Sequence, residues 1–146
     1  MIRAVIVEDE FLSAELLDGM IHDHCPEVRI VGIAHDVSTA IALITKETPD
    51  IVFLDIEMQT GSGFDVLHGL KNKSFKVIFT TAYDHYALKA IKFSAVDYLL
   101  KPIDVLELKE AVSKLLSSNE MGTESKLDLL MRNLHQNKLE DLSISL

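Results

Sequence analysis

Chemically reactive side chains stand directly after four short apolar runs in this sequence of 146 residues. The runs IRAVIV, IVFL, FKVIFT and AVDYLL are followed, in that order, by Glu8 with Asp9, by Asp55, by Thr81 and by Lys101. Clustered carboxylates repel one another, and a hard divalent cation such as Mg2+ relieves that repulsion while keeping sites for water and phosphate oxygens. A carboxylate beside such a cation can attack a phosphoryl group, whose oxygens an amine and a hydroxyl can hold. The residue types therefore predict phosphoryl transfer to a carboxylate.

Asp55 is the best candidate for the nucleophile, because it ends the most apolar run and lies centrally. Taken singly, each of these residue types has an ordinary structural interpretation. An acidic pair is typical of a solvated turn, an aspartate or threonine often caps a helix, and a lysine is usually a surface charge. The occurrence of reactive residues after all four runs favours a functional site, provided that the ends of the runs meet in the fold.

The apolar runs predict five strands, and apolar residues at helical spacing between them predict five helices. The strands are predicted at 2–7, 28–34, 51–54, 75–80 and 95–100, and the helices at 10–24, 38–47, 64–70, 84–93 and 105–116. This alternation implies parallel strands joined by right-handed crossovers, and hence a doubly wound, flavodoxin-like α/β sandwich with strand order 2-1-3-4-5. Ligands bind at the carboxyl ends of the strands in such sheets, where the candidate residues converge.

Composition narrows the class of protein. Acidic residues outnumber basic ones by 23 to 14, for a net charge of −9, so the chain by itself is not expected to bind nucleic acid. No apolar run approaches the roughly 18 residues of a membrane-spanning helix, and the N-terminus does not resemble a signal peptide. The single cysteine, Cys25, excludes an internal disulfide. We therefore predict a cytoplasmic protein without membrane contact.

A polar stretch, SSNEMGTES, separates the predicted domain at 1–117 from a tail at 118–146. Leu127, Leu130, Met131 and Leu134 recur at helical spacing and predict an extra helix at about 125–136. An isolated helix of about 12 residues is marginal in water. We expect it to pack against a neighbouring chain, because the domain's own helices already cover both faces of the sheet. The closing LEDLSISL resembles the first strand of a further domain, cut short.

The segments VIVEDE, IVFLDIEM, IFTTA and DYLLKP together resemble the receiver domain of two-component response regulators, over about residues 1–116. The resemblance implies that Asp55 is a phosphoacceptor for a partner sensor histidine kinase. Such a protein is not an enzyme, although it takes part in its own phosphorylation and dephosphorylation. The resemblance further implies a Mg2+ (or Mn2+) ion bound directly by Asp9 and Asp55, through water by Glu8, and by the backbone carbonyl of Glu57.

The same resemblance assigns Thr81 and Lys101 to binding of the phosphoryl group, and Thr81 with Tyr98 to a conformational switch. It also implies that the bond between Lys101 and Pro102 is cis. Many receivers have a proline at the position of Gln59, and here the GSG sequence at 61–63 is expected to add flexibility instead.

The phrases VFLDIEM, IFTTAYDHYALKA and AVDYLLKP resemble receivers attached to LytTR-type DNA-binding domains. This implies that phosphorylation drives homodimerisation and controls DNA binding through an output domain that is not in this chain. A stand-alone receiver acting through protein–protein contacts is the alternative. Two other classes of protein are disfavoured. A phosphatase of the haloacid-dehalogenase type carries the motif D-x-D-x-T, whereas this chain has DIEMQ at 55–59. A flavin carrier has a Ser/Thr-rich loop after the first strand, whereas this chain has EDE at 8–10.

Overall fold

The apolar runs form a parallel sheet in the computed structural model, which describes residues 1–82, 97–117 and 128–132. The strands are β1 (Ile2–Val7), β2 (Val28–Ala34), β3 (Ile51–Asp55), β4 (Glu57–Met58), β5 (Gly61–Ser62), β6 (Lys76–Thr81) and β7 (Asp97–Leu100). Five of them pair in the order β2-β1-β3-β6-β7, all parallel. Because β6 and β7 are the fourth and fifth of the predicted strands, the predicted doubly wound order 2-1-3-4-5 is confirmed.

Helices connect these strands and end close to where the sequence predicts. They are α1 (Phe11–His24), α2 (Val37–Glu47), α3 (Gly63–His68) and α4 (Val105–Ser117). The Asp36 carboxylate accepts a hydrogen bond of 2.8 Å from the backbone N–H of Thr39, which starts α2. Ser62 and Asp65 form a capping box that starts α3. The helix α4 is the last of the five predicted helices, and the helix predicted at 84–93 lies outside the described residues.

Alternating side chains divide the core between the two faces of the sheet. The α2–α3 face takes Val5, Val7, Val52, Leu54, Val77 and Phe79 from the strands, and the α1–α4 face takes Ala4, Ile6, Ile51, Phe53, Ile78 and Leu99. All five residues of β3 are buried, because helices cover both of its sides. Burial on both sides explains why residues 51–54 form one continuous apolar run in the sequence.

A short hairpin after β3 was not predicted from the sequence. The strands β4 and β5 pair antiparallel, with Glu57 opposite Ser62. Gly61 has φ +149°, a conformation that favours glycine, and a Cβ at Gly63 would lie 2.5 Å from the backbone oxygen of Asp55. These glycines permit a tight turn and a close backbone approach, and their expected flexibility stays a prediction.

The tail contributes to the core of its own chain. Residues 128–132 are helical, and Leu130 is fully buried within the core of the α2–α3 face. This differs from the expectation of packing against a neighbouring chain, because side chains of its own domain cover Leu130. The rest of the predicted tail helix and the predicted strand at 139–146 lie outside the described residues. Within the part of the chain that is described, no helix has both the length and the apolar character needed to cross a membrane.

Candidate functional site

Three acidic side chains meet at the carboxyl edge of the sheet, where β1 and β3 end side by side. Glu8, Asp9 and Asp55 each place a carboxylate oxygen within 4.8 Å of the others. Glu8 and Asp55 are only 4% and 2% exposed, whereas Asp9 is half-buried. Val7 pairs with Leu54, so the residues that follow these two positions leave the sheet at the same level. The predicted convergence of the acids is thus present in the structure.

The Lys101 amine reaches into this cluster from the end of β7. It forms ion pairs with Glu8 and, at 3.3 Å, with Oδ2 of Asp55. The backbone N–H of Lys101 donates a hydrogen bond of 2.8 Å to the carbonyl of Thr81, which fixes the lysine beside β6. The bond between Lys101 and Pro102 is cis, as the resemblance implied.

Backbone N–H groups hold the three carboxylates in place. Glu57 donates to Oδ1 of Asp55 at 3.2 Å, Gln59 to Oδ2 of Asp9 at 3.0 Å, and Glu10 to Oε2 of Glu8 at 3.2 Å. Sequence reasoning missed the roles of Gln59 and Glu10, since a backbone donor leaves no mark in the residue type. The side chain of Glu57 is exposed, and its backbone N–H is the group that contacts Asp55.

Burial and like charge alter the acid–base properties of the site. Burial, followed by the neighbouring Glu8 carboxylate, raises the pKa of Asp55 to about 7, although the Lys101 amine opposes the shift. Burial lowers the pKa of Lys101, but its contacts with Glu8 and Asp55 outweigh burial and raise the pKa overall. Three carboxylates face one amine, which leaves the cluster short of positive charge.

Thr81 ends β6 at the same edge of the sheet. Its side chain is buried, and among the described residues its hydroxyl is the buried side-chain group without a hydrogen-bond partner. The preceding residue, Thr80, lies opposite Asp55 in the sheet. A buried, unsatisfied hydroxyl costs free energy, so its presence here suits a ligand that brings an acceptor.

Tyr98 lies one strand away, on the same face as Thr81. It pairs with Phe79 across β6 and β7, and Phe79 and Thr81 are two residues apart on one strand. Tyr98 is half-buried against the core of the α2–α3 face. Both residues of the predicted switch therefore lie on adjacent strands and on the same face of the sheet.

A pocket of about 300 Å³ opens above the acids. It is lined by Asp9, Glu10, Asp55, Glu57, Met58, Gln59, Ala82 and Lys101. The carboxylate oxygens suit a hard divalent cation, because Mg2+ takes one or two carboxylates and fills its other positions with water and phosphate oxygens. The residues present therefore fit the predicted metal.

The sheet order, with three acids and a lysine at its carboxyl edge, defines a receiver domain. Residues 4–113 match the family model of the response regulator receiver domain. The chain therefore belongs to the response regulator receiver family.

The chain is similar in sequence to curated response regulators named LytT. It is 34% identical over 131 residues to the sensory transduction protein LytT of Bacillus anthracis, covering 88% of this chain and 53% of the relative. LytT of Enterococcus faecalis is 38% identical over 122 residues, covering 82% and 49%. The chain thus spans about half the length of these curated relatives. The crystal structure of a LuxR-family DNA-binding response regulator from Staphylococcus aureus superimposes with a TM-score of 0.69 at 27% identity, covering 79% of this chain and 98% of that one.

Proposed function

We propose that this receiver accepts a phosphoryl group on Asp55 from a sensor histidine kinase. The observation that carries the proposal is a buried carboxylate, Asp55, beside an amine and at the same sheet edge as an unsatisfied hydroxyl. The Lys101 amine lies 3.3 Å from Asp55, and the buried Thr81 hydroxyl at the same edge has no partner in the described part of the chain. Both groups match the oxygens of a phosphoryl group bonded to Asp55.

The transfer is a displacement at phosphorus. A carboxylate oxygen of Asp55 forms a bond to the phosphorus of the kinase's phosphohistidine, the phosphorus–nitrogen bond breaks, and the imidazole nitrogen keeps the electron pair. Lys101 then turns from the carboxylates towards the new phosphoryl oxygens, and the Thr81 hydroxyl donates to one of them. The backbone N–H of Glu57 keeps the Asp55 carboxylate oriented throughout.

A divalent cation completes the site in this proposal. Asp9 and Asp55 would hold Mg2+ (or Mn2+) directly, Glu8 through water, and Glu57 through its backbone carbonyl. When bound, the cation supplies positive charge to the phosphoryl oxygens and to the crowded carboxylates. The transfer is therefore expected to require it.

Phosphorylation would act on the rest of the molecule through Thr81 and Tyr98. A phosphoryl group adds nearly two negative charges, to which Thr81 can move, and Tyr98 can then occupy the space that Thr81 leaves. We propose that this change promotes homodimerisation and controls a LytTR-type DNA-binding output. The LytT relatives support that output, and the predicted cytoplasmic location accompanies it.

The sensor kinase has to bring its phosphohistidine to the rim of the pocket. On α1, Leu12 and Leu16 are highly exposed, and on the neighbouring α4 so is Leu106. Leu16 also lines a small groove that Lys101 shares. Large apolar side chains exposed next to a reactive carboxylate are typical of a protein-binding surface. We propose that the kinase docks there.

Mass spectrometry after incubation with acetyl phosphate and Mg2+ tests the central claim. The wild type should gain one phosphoryl group, and Asp55→Asn should gain none. Asp23→Asn, which changes an exposed acid on α1, is the matched control and should react like the wild type. A chelator in place of Mg2+ should abolish the adduct. An undiminished adduct on Asp55→Asn would show that the phosphoacceptor is another residue.

A further inference from the structure

Within the tail, the described residues 128–132 form a helical turn that is anchored in the receiver core. Within residues 128–132, Leu130 is 0% exposed, Leu129 and Met131 are half-buried, and Asp128 and Arg132 are exposed. Leu130 belongs to the core of the α2–α3 face, and Met131 packs against that core. The turn thus has one buried side and one solvent side.

This turn lies on the opposite face of the sheet from the helix that precedes it. The buried residues of α4, Leu108, Ala111, Val112 and Leu115, all belong to the core of the α1–α4 face. The end of α4 and residues 128–132 therefore contribute to opposite faces of the sheet.

Packing explains why these five residues are helical. An isolated helix is marginal in water even at the roughly 12 residues predicted for the tail, because nucleation costs more than its hydrogen bonds return. Burial of Leu130 therefore contributes to keeping residues 128–132 helical, so docking and helix formation are coupled. Such an element can be released without unfolding the sheet.

The core that receives Leu130 also holds the predicted switch residue. Tyr98 packs against the same group of buried side chains as Met131. It lies opposite Phe79, two residues before the unpartnered hydroxyl of Thr81. Close-packed interiors transmit strain, so a movement of Tyr98 can reach Leu130 through the core that both share.

We propose that residues 128–132 form an intramolecular latch, in which Leu130 docks on the α2–α3 face and is released when Asp55 is phosphorylated. The release depends on the proposed phosphorylation, whereas the docking does not. Coupling of this kind is reciprocal, so undocking of the tail favours phosphorylation of Asp55 to the same extent.

Amide hydrogen exchange on the full chain tests the docking without phosphorylation. Leu130→Ala should speed exchange at 128–132 about tenfold or more, Leu130→Met should restore most of the protection, and the exposed control Arg132→Ala should behave like the wild type. Sedimentation should show a monomer whose protection is independent of concentration. Equal exchange in Leu130→Ala and Arg132→Ala would overturn the docking. Protection that grows with concentration would place the turn on a second copy and would equally overturn the latch.

Acetyl phosphate with Mg2+ then tests the coupling. Phosphorylation should speed exchange at 128–132 in the wild type and not in Asp55→Asn. At the same limiting acetyl phosphate concentration, Leu130→Ala should reach a ratio of phosphorylated to unphosphorylated protein about fivefold higher than Arg132→Ala. A phosphorylated protein with unchanged protection at 128–132 would disprove the release. If mass spectrometry detects no phosphoryl adduct at all, the proposed function fails, and the exchange of the untreated variants still decides the docking.

Discussion

Acidic side chains lie at both ends of the sheet, but they differ in burial and in the positive charge that accompanies them. At the amino end, the Arg3 guanidinium forms an ion pair of 3.1 Å with Glu47, and its backbone N–H donates to Asp50 at 2.9 Å, all in contact with solvent. At the carboxyl end, Glu8 and Asp55 are almost fully buried and share the amine of Lys101.

The difference separates a structural use of charge from a functional one. Exposed pairs are screened by water and contribute little to stability. Buried acids without enough positive charge hold unfavourable free energy that an incoming cation or ligand can relieve. Burial together with incomplete neutralisation therefore distinguishes the acids at the carboxyl end from those at the amino end.

Removal of the shared amine should have the largest effect. Lys101→Ala leaves two buried carboxylates without their cationic partner, so we expect the free energy of unfolding at pH 8 to fall by about 3–5 kcal/mol. Lys114→Ala removes a lysine whose side chain is 68% exposed beside Asp97 and should cost less than about 1 kcal/mol. Urea unfolding without divalent cations measures both. Equal losses would show that burial does not distinguish the two lysines.

The stability of the cation-free protein should fall as the pH rises. The pKa of Asp55 is raised to about 7, above its unfolded value, so the folded state binds this proton more tightly. Its contribution is full below the unfolded pKa and is lost as the pH rises through about 7, which predicts a loss of about 2–3 kcal/mol between pH 5 and 8.

Two variants isolate that pH dependence. Asp55→Asn should remove most of the slope and be more stable than the wild type at pH 8. Asp23→Asn keeps Glu8, Asp55 and Lys101 in place and should retain the slope. Urea unfolding at a series of pH values gives the comparison, and a wild-type slope in Asp55→Asn would contradict the assignment.

The backbone approach behind the site should tolerate no side chain. Gly63→Ala places a Cβ 2.5 Å from the backbone oxygen of Asp55, and we expect it to destabilise the protein by about 1–3 kcal/mol and to slow phosphorylation. Gly19→Ala on α1 meets no atom within 4 Å and should stabilise the protein by about 0.5–1 kcal/mol. Thermal unfolding of both variants measures the difference, which would vanish if the hairpin simply shifted.

The Thr81 hydroxyl should matter for signalling more than for stability. Thr81→Ala removes an unpartnered buried group, so its unfolding should change little. Asp55 should still be phosphorylated, but the phosphorylated variant should dimerise about tenfold more weakly than the phosphorylated wild type, which corresponds to about 1.4 kcal/mol. Sedimentation after acetyl phosphate treatment measures the dimer. Dimerisation equal to that of the wild type would exclude the coupling role.

The smallest effect is expected at the amino end of the sheet. Glu47→Ala breaks the exposed ion pair with Arg3 and should cost less than about 1 kcal/mol, with the loss shrinking further at high salt. Urea unfolding at two salt concentrations is the measurement. A loss as large as that of Lys101→Ala would erase the contrast between the two ends.

Much of the site could be predicted because its determinants are local. Runs such as IVFL predict a strand covered on both sides, and the residue directly after a strand lies at its carboxyl end whatever the rest of the chain does. Asp9, Asp55 and Lys101 could therefore be assigned to one edge once the alternation of strands and helices fixed the strand order.

Other features of the site depend on distances between segments that are remote in sequence, so only the tertiary structure decided them. The near absence of space at Gly63 follows from the path of β3, and the hydrogen bond from Gln59 to Asp9 joins residues 50 positions apart. The face that takes Leu130 depends on how much of the core α2 and α3 leave open, which periodicity does not report. The sequence by itself determined which residues could do the chemistry; the packing decided how tightly they are held and which part of the tail is joined to them, because burial is a property of all neighbours together.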